Sequence, residues 1–188
     1  MRIIAGTAGG RRFEAPEGNN TRPTLDRVRE NLFNILQLRI YSARVLDLFS
    51  GSGALSLESL SRGAACAVLV DSDRNANRIQ RKNLESLGMT DKADVLLCDW
   101  HKAVEKLLHE GRQFDLIFLD PPYQMTDLRE VFNALTGLVS DDGLVILEHE
   151  AKAVITAGDL FEETDRRKWG YCGITFYRKC DQGSGAKE

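Results

Sequence analysis

The stretch FDLIFLDPPY, residues 114–123, joins a strand-like apolar run to an acid and two prolines. Residues 114–119 have the composition of a strand that is buried on both faces. The two prolines fix φ at about −65° and stop a strand or helix from continuing, so the chain must turn at the strand's carboxyl end. In an open α/β sheet, ligands bind at that end. The turn offers a carboxylate, carbonyl acceptors and an aromatic ring, a set that suits a planar group carrying an NH₂.

The segment Asp120-Pro121-Pro122-Tyr123 resembles the [DNS]-P-P-[YF] signature of methyltransferases that use S-adenosylmethionine (SAM) and act on exocyclic or amide nitrogens. We therefore take these four residues as the candidate catalytic loop. The alternative is a structural turn, in which Asp120 caps a helix and Tyr123 packs against the core. The segments upstream distinguish the two interpretations.

The overall composition is that of a globular protein, with 188 residues, 43% hydrophobic and 28% charged. This size predicts one domain. No apolar run has the length of a membrane span, and the N-terminus lacks a signal-peptide pattern. The four cysteines and three histidines lack the spacing of a disulfide framework or a metal site. We expect a cytoplasmic monomer with no metal and no membrane partner.

The net charge of −3 is unevenly distributed along the chain. Residues 1–44 carry eight arginines and four acids, a balance of +4, whereas the remaining residues balance at −7. This asymmetry is expected of a domain with one anion-facing surface. A solvated helix face is the alternative. The candidate phosphate-binding residues are Arg11, Arg12, Arg22, Arg27 and Arg29.

Patterning predicts a small N-terminal extension on residues 1–43. Residues 1–14 predict a hairpin around a glycine-rich turn. A helix is predicted over 24–38. Its apolar face would carry Leu25, Val28, Leu32, Ile35 and Leu36.

Strands alternate with helices from residue 44 onward. Strands are predicted at 44–49, 66–70, 94–98, 114–119 and 143–148, and helices at 53–62, 73–87, 100–110 and 126–139. Such alternation predicts an α/β fold with a parallel, doubly wound sheet. Two more strands, at 161–169 and 173–179, would close it as an antiparallel hairpin. This matches the seven-stranded, Rossmann-like layout of class I SAM-dependent methyltransferases. Residues 1–180 would form a single domain with its catalytic core at 44–180, followed by a disordered tail at 181–188.

The sequence DLFSGSG, residues 47–53, lies where the first core strand gives way to a helix. Glycines there let backbone N–H groups approach a ligand beside a helix N-terminus. A dinucleotide fingerprint would require glycine at position 56, which is a serine. Asp47 would repel a pyrophosphate but attract the ammonium group of SAM, which favours SAM over NAD. Candidate cofactor contacts here are Asp47, Ser50, Gly51 and Gly53.

Acids also follow the next two strands. Asp71, with Ser72 beside it, comes about 20 residues after the glycines and is placed to accept hydrogen bonds from ribose hydroxyls. Asp73 is expected to cap the following helix. Asp99 is placed to accept from an adenine amino group with Trp100 near the ring; the alternative is an N-cap followed by a packed indole. Together with Asp120, these strand ends outline a SAM pocket that leads to an amine-methylating site.

A further acidic cluster, residues 148–150, follows the fifth strand. We interpret it as a solvated strand end with at most a role at the pocket rim.

Over residues 1–179 the sequence resembles the RsmD family, which methylates guanine N2 in bacterial 16S ribosomal RNA. The most specific part of the resemblance is N-terminal: RIIAG at 2–6, GRR at 10–12 and TRPTLDRVRE at 21–30. The resemblance implies that Asp47, Gly51, Gly53, Asp71 and Asp99 contact the cofactor and that residues 120–123 are the catalytic loop. One departure is Asp71, where the family often has glutamate, which shortens the reach.

The resemblance also implies ribosomal RNA, free or within an assembling small subunit, as the partner. Three alternatives stay open. A DNA adenine-N6 or cytosine-N4 methyltransferase usually carries a target-recognition region, for which 188 residues leave no room. A protein-glutamine methyltransferase is disfavoured by the arginine asymmetry. A non-catalytic RNA-binding assembly factor on the same scaffold is disfavoured by the intact acids of the SAM loops.

Overall fold

Seven strands form one sheet in the order β3-β2-β1-β4-β5-β7-β6. The computed structural model describes residues 1–15, 23–122 and 124–180, with backbone only at 23–25. The strands are β1 Arg44–Asp47, β2 Cys66–Asp71, β3 Ala93–Leu97, β4 Phe114–Leu119, β5 Val139–Glu150, β6 Phe161–Trp169 and β7 Cys172–Lys179. Strands β1 to β5 pair in parallel, while β7 is antiparallel to both β5 and β6. The predicted seven-stranded, mostly parallel sheet with an antiparallel C-terminal hairpin is confirmed; the predicted tail at 181–188 lies outside the described residues.

The described ranges contain six α-helices, of which two precede β1 and four connect successive strands. They are α1 Pro23–Ile35, α2 Gln37–Ile40, α3 Ala54–Ser61, α4 Arg74–Leu87, α5 Trp100–His109 and α6 Arg129–Leu135. Alternate residues of each strand face opposite sides of the sheet, so two cores form. Helices α1, α3 and α4 pack on the side of Phe118, and α5 and α6 pack on the side of Ile117. None of the described helices is both long and apolar enough to cross a membrane.

The predicted helix over 24–38 is interrupted after Ile35 and is followed by the short helix α2. Its buried face is also rotated from the predicted one. Ile35 is 42% exposed, whereas Phe33 is fully buried and packs against Phe118 with ring centroids 6.1 Å apart. The large Phe33 ring turns the helix so that Arg29, one turn earlier, is buried as well.

The predicted N-terminal hairpin is present and packs against α3. Ile3 donates its backbone N–H to the Arg11 carbonyl at 2.9 Å. The buried Glu58 carboxylate accepts from the backbone N–H groups of Ile4 at 2.8 Å and Ala5 at 3.0 Å. At Gly6, with φ of +84°, a Cβ would lie 1.9 Å from a backbone oxygen of α3, so the turn touches the helix only because it has no side chain.

Candidate active site

The carboxyl ends of β1 to β4 open onto a cleft of about 550 Å³. β1 and β4 are neighbours in the sheet, and the chain continues from them toward opposite edges of the sheet, from β1 to β2 and from β4 to β5. In doubly wound folds, ligands bind at the point where the strand order reverses in this way. The cleft is lined by Leu48, Phe49, Gly51, Asp71, Ser72, Cys98, Asp99, Trp100, Asp120, Pro121 and Pro122. Eight of the predicted site residues therefore meet at one surface, although they come from four separate strand ends.

The loop after β1 is held in place from the side away from the cleft. Ser50 Oγ donates to the Val70 carbonyl at 2.9 Å. The buried amide of Gln80 donates to Ser50 Oγ at 3.0 Å and to the Gly51 carbonyl at 2.8 Å. Ser50 Oγ thus shapes the loop, and Ser50 is not among the residues that line the cleft, so its predicted contact with the cofactor stays a prediction. Gln80 was missed because one glutamine in a polar helix carries no sequence signal.

Asp47 and Gly53 also lie behind the loop. Asp47 is 1% exposed and accepts from Ser56 Oγ at 2.9 Å. Burial raises the pKa of Asp47 to about 7. Gly53 has φ of +80°, and a Cβ there would lie 2.7 Å from the Leu69 side chain. The structure does not place either residue on the cleft, because β1 ends with Asp47 turned inward toward α3.

Asp71 lines the cleft and also orders the residues around it. Its Oδ2 accepts from the backbone N–H of Gly51 at 2.8 Å, and its Oδ1 accepts from the backbone N–H of Asp73 at 2.9 Å. Each carboxylate oxygen has a second lone pair that can accept from a ribose hydroxyl. Asp73 caps α4 by accepting from the backbone N–H of Asn75 at 2.7 Å, as predicted.

Asp99 is the N-cap of α5 and also lines the cleft, so its predicted contact with an adenine amino group stays a prediction. It caps α5 by accepting from the backbone N–H of Lys102 at 3.1 Å, and it lines the cleft. The pKa of Asp99 is lowered, because that backbone hydrogen bond favours the charged form. Trp100 is 8% exposed and stacks on His101 with ring centroids 3.6 Å apart, so its indole is mostly packed, with one edge on the cleft.

Asp120 lies just past the last residue of β4, with its side chain open to the cleft. Asp120 is exposed to the cleft, but the protein walls around it disfavour the charged form, and Glu148 and Asp47 add negative charge. Its pKa is therefore raised well above the usual range of an aspartate. Pro121 is buried and Pro122 is exposed. Tyr123, the fourth predicted catalytic residue, lies outside the described residues.

The chemistry of the lining residues suits SAM. Three of them are aspartates, and none of the described lining residues is a lysine or arginine. A pyrophosphate would find no cationic partner in such a cleft. SAM carries positive charges together with hydroxyl and amino donors, which these carboxylates can accept. Asp71 and Asp99 are therefore the residues that would hold the cofactor.

Comparison of this chain with known proteins identifies its family. Residues 1–178 match the family model described as Conserved hypothetical protein 95. Ribosomal RNA small subunit methyltransferase D of Escherichia coli strain K12 is 40% identical over 154 residues, which cover 81% of this chain and 76% of that protein. The chain belongs to the RsmD family.

Two further proteins extend this relationship over the whole length. The Bacillus subtilis strain 168 protein named "Putative rRNA methyltransferase YlbH" is 36% identical over 183 residues, 95% of this chain and 99% of that protein. The solved structure titled "Putative methyltransferase yhhF from Escherichia coli" aligns with a TM-score of 0.83 and 36% identity, covering 97% of this chain and 99% of the other. The fold is that of Rossmann-like SAM-dependent methyltransferases.

The N-terminal arginines of this RsmD family member differ in their surroundings. Arg12 and Arg27 are exposed. Arg11 is exposed but donates to the carbonyls of Ser86 and Leu87, the latter at 3.2 Å, and so caps the end of α4. Arg22 lies outside the described residues.

Arg29 is the exception among these arginines. It is 5% exposed, donates to the Arg2 carbonyl at 2.5 Å and to Asp26 at 3.1 Å, and lies over the Phe13 ring at 5.7 Å. Burial lowers its pKa. The prediction that Arg29 binds RNA phosphates is incompatible with this placement, because its guanidinium fastens the hairpin to α1.

Residues 148–150 are less solvated than predicted. His149 is 4% exposed and its ring lies between the Glu150 carbonyl at 2.8 Å and Thr175 Oγ at 2.9 Å. A Cβ on Gly173 would lie 2.6 Å from that ring, so the histidine is packed as part of the core. Glu148 is half-buried, and only Glu150 is exposed. Among the described residues, no group of three or more His, Cys, Asp or Glu side chains is arranged to hold a metal ion.

Proposed function

We propose that this protein transfers the methyl group of SAM to the exocyclic N2 of a guanine in small-subunit ribosomal RNA. One observation carries the proposal: Asp120 opens into the same cleft as Asp71 and Asp99, directly before two prolines. Membership of the RsmD family supports ribosomal RNA as the substrate. When bound, SAM supplies an electrophilic methyl group on a sulfonium sulfur.

Asp120 and the Pro121 carbonyl would hold the amine. The lone pair of guanine N2 is delocalised into the ring, which makes it a poor nucleophile. Two acceptors that bind its two N–H bonds would fix the group in place and stabilise the positive charge that develops during transfer. Because Pro121 and Pro122 have no N–H, the turn has few donors that could compete for these acceptors.

Other side chains would position the two substrates. Asp71 would accept from the ribose hydroxyls of the cofactor and Asp99 from its adenine amino group. Tyr123 would stack on the guanine, which must be unpaired or flipped out to reach the cleft. Arg12 and Arg27, with Arg11 beside them, would bind phosphates near the target, and the N-terminal extension would thus face the RNA.

Methylation of defined substrates tests the proposal. The purified protein would be incubated with isotopically labelled SAM and with 16S ribosomal RNA, small subunits or duplex DNA, each isolated from a strain that lacks the corresponding gene. We expect N2-methylguanosine by mass spectrometry of the digested RNA, and strongly reduced label with Asp120→Ala. Label in adenine or cytosine of DNA would favour a DNA methyltransferase. SAM binding without transfer to any substrate would favour an assembly factor.

A further inference from the structure

The parallel pairing of β4 and β5 brings Glu148 beside Asp120. The register pairs Leu119 of β4 with Leu147 of β5. The residue after Leu119 is Asp120, and the residue after Leu147 is Glu148. Neighbouring strands are about 4.8 Å apart. Glu148, which sequence reasoning assigned to a solvated strand end, is therefore the carboxyl next to the candidate catalytic one.

Both side chains point to the same face of the sheet. Phe118 lies two residues before Asp120, and Ile146 lies two residues before Glu148. Both belong to the core beneath α1 and α3. Since side chains alternate with a period of two, Asp120 and Glu148 follow them on that face. His149 lies between Glu148 and Glu150 in sequence but is directed to Thr175.

The ionisable groups that act electrostatically on Asp120 are all acids or weak acids. Asp47 comes from β1, Glu148 from β5 and the buried Cys172 thiol from β7. Among the described residues, no lysine, arginine or histidine contributes to the charge felt by Asp120. The pKa values of Asp120 and Glu148 are both raised, chiefly because the protein around the two carboxyls disfavours their charged forms. Two adjacent carboxylates in such a place bind one proton more tightly than either would alone.

We propose that Glu148 acts through Asp120 as a positioning residue, and that the two carboxyls share the proton that guanine N2 loses on methylation. This inference rests on the proposed function. Once N2 carries the methyl group, it is positively charged and has two N–H bonds. One of these bonds breaks, its electron pair returns to the nitrogen, and an O–H bond forms on Asp120, so the product keeps one N–H. The proton is then held between Asp120 and ionised Glu148 and leaves to water through the cleft, which restores both carboxylates.

Glu148 therefore sets how readily Asp120 takes the proton. A base whose proton affinity matches the working pH is the most effective. Without the neighbouring charge, Asp120 would ionise at lower pH and would be a weaker base. This effect on the proton affinity of Asp120 depends on the charge of Glu148. A substitution that removes the charge but keeps the size of the side chain therefore separates it from a loss of packing.

The pH dependence of single-turnover methylation tests the inference. In the wild-type protein the rate should rise with pH as the shared proton dissociates. Glu148→Gln removes the neighbouring charge, so the midpoint of that rise should move to lower pH by about one to two units. Glu150→Gln is the matched control, because it makes the same change two residues away on an exposed side chain, and its midpoint should not move. A lower rate in Glu148→Gln with an unmoved midpoint would overturn the inference, since a packing defect acts at every pH.

A second measurement leaves position 148 unchanged. Carbon-13 NMR of the side-chain carboxyls should show Asp120 and Glu148 responding to one common titration step in the wild-type protein. In Asp120→Asn, Glu148 should titrate alone and at lower pH. Independent steps that the substitution leaves unaltered would overturn the inference. If the wild-type protein methylates no RNA at any pH, the proposed function fails, whereas the NMR titration still decides whether the proton is shared.

Discussion

Asp71 accepts a hydrogen bond from the backbone N–H of Gly51, 20 residues earlier in the chain, at 2.8 Å. The bond ties the loop after β1 to the end of β2, and both residues line the cleft. The same carboxylate also accepts from the backbone N–H of Asp73, which begins the turn into α4. Asp71 therefore shapes the site in addition to offering acceptors to a ligand.

This double role makes Asp71→Ala more damaging than the loss of one ligand contact. We expect SAM binding to weaken by on the order of 1–3 kcal/mol, because hydroxyl groups of the ligand and the Gly51 N–H both lose an acceptor. Isothermal titration calorimetry of the folded variant measures this. Asp73→Ala is the control: it removes only the cap of α4, so it should cost about 1 kcal/mol of folding stability and leave SAM affinity unchanged. Equal SAM affinity in both variants would remove Asp71 from the site.

Substitutions at Asp120 should affect transfer and spare cofactor binding. Asp120→Ala should lower the methylation rate severely while SAM affinity stays within a few-fold, since the carboxylate acts on the amine. Asp120→Asn should retain more activity than alanine if accepting a hydrogen bond is the main role, and no more if the charge is required. Single-turnover rates at saturating SAM separate these cases. Wild-type rates in both variants would contradict the mechanism.

Asp47 should make folding stability depend on pH. Its pKa is about 7 in the fold against an ordinary 3.8, so the folded state binds the proton more tightly than the unfolded state. Below about pH 4 both states are protonated and the group costs nothing; as pH rises to 7 and above, the fold must hold a buried carboxylate, and stability is lost. Asp47→Asn should therefore be more stable than wild type above pH 7, by on the order of 2–4 kcal/mol, and equal to it near pH 4. Urea unfolding at both pH values measures the difference, and a gain of the same size at both would contradict the assignment.

Much of this fold could be predicted because its signals are local. Apolar runs of strand length, alternating with helical segments, predicted β1 to β4 and the central part of β5. The mostly charged β6 was predicted only as one half of the hairpin that it forms with β7. The break after Ile35 and the rotation of α1 could not be predicted, because they depend on how Phe33 meets Phe118, 85 residues away. Helical periodicity permits several neighbouring faces, and tertiary packing selects one of them.

The sequence also revealed some residues of the site and not others. Asp71, Asp99 and Asp120 lie at or just after the carboxyl ends of their strands. Because parallel strands end at a common edge of the sheet, their positions in the sequence were enough to predict that they lie close together. Asp47 is buried against Ser56 behind the loop, and its position at the end of β1 did not reveal this, because burial at a strand end depends on the helix that packs there. Glu148 was undervalued for a related reason: its partner Asp120 is 28 positions away, and only the pairing of β4 with β5 makes them neighbours.

The last prediction concerns RNA binding and separates exposed arginines from the buried one. Arg12 and Arg27 are exposed on the N-terminal extension. If each contacts one phosphate, its replacement should lower the magnitude of the log K versus log[salt] slope by roughly 0.7–0.9. Arg12→Ala with Arg27→Ala should then flatten the slope by about 1.5, while SAM affinity is unchanged. Methylation should fall mainly through a higher KM for RNA, because the amine-holding loop is intact.

Arg29→Met supplies the opposite pattern and serves as the control. It removes a buried guanidinium that binds the Arg2 carbonyl and Asp26, so it should cost about 1–3 kcal/mol of folding stability and leave the salt slope unaltered at temperatures where the variant is folded. Filter-binding titrations from low to high salt, run beside melting curves of all variants, measure both quantities. An unchanged slope in the Arg12/Arg27 double variant, with any loss of RNA binding following its melting temperature, would show that these arginines only solvate the surface.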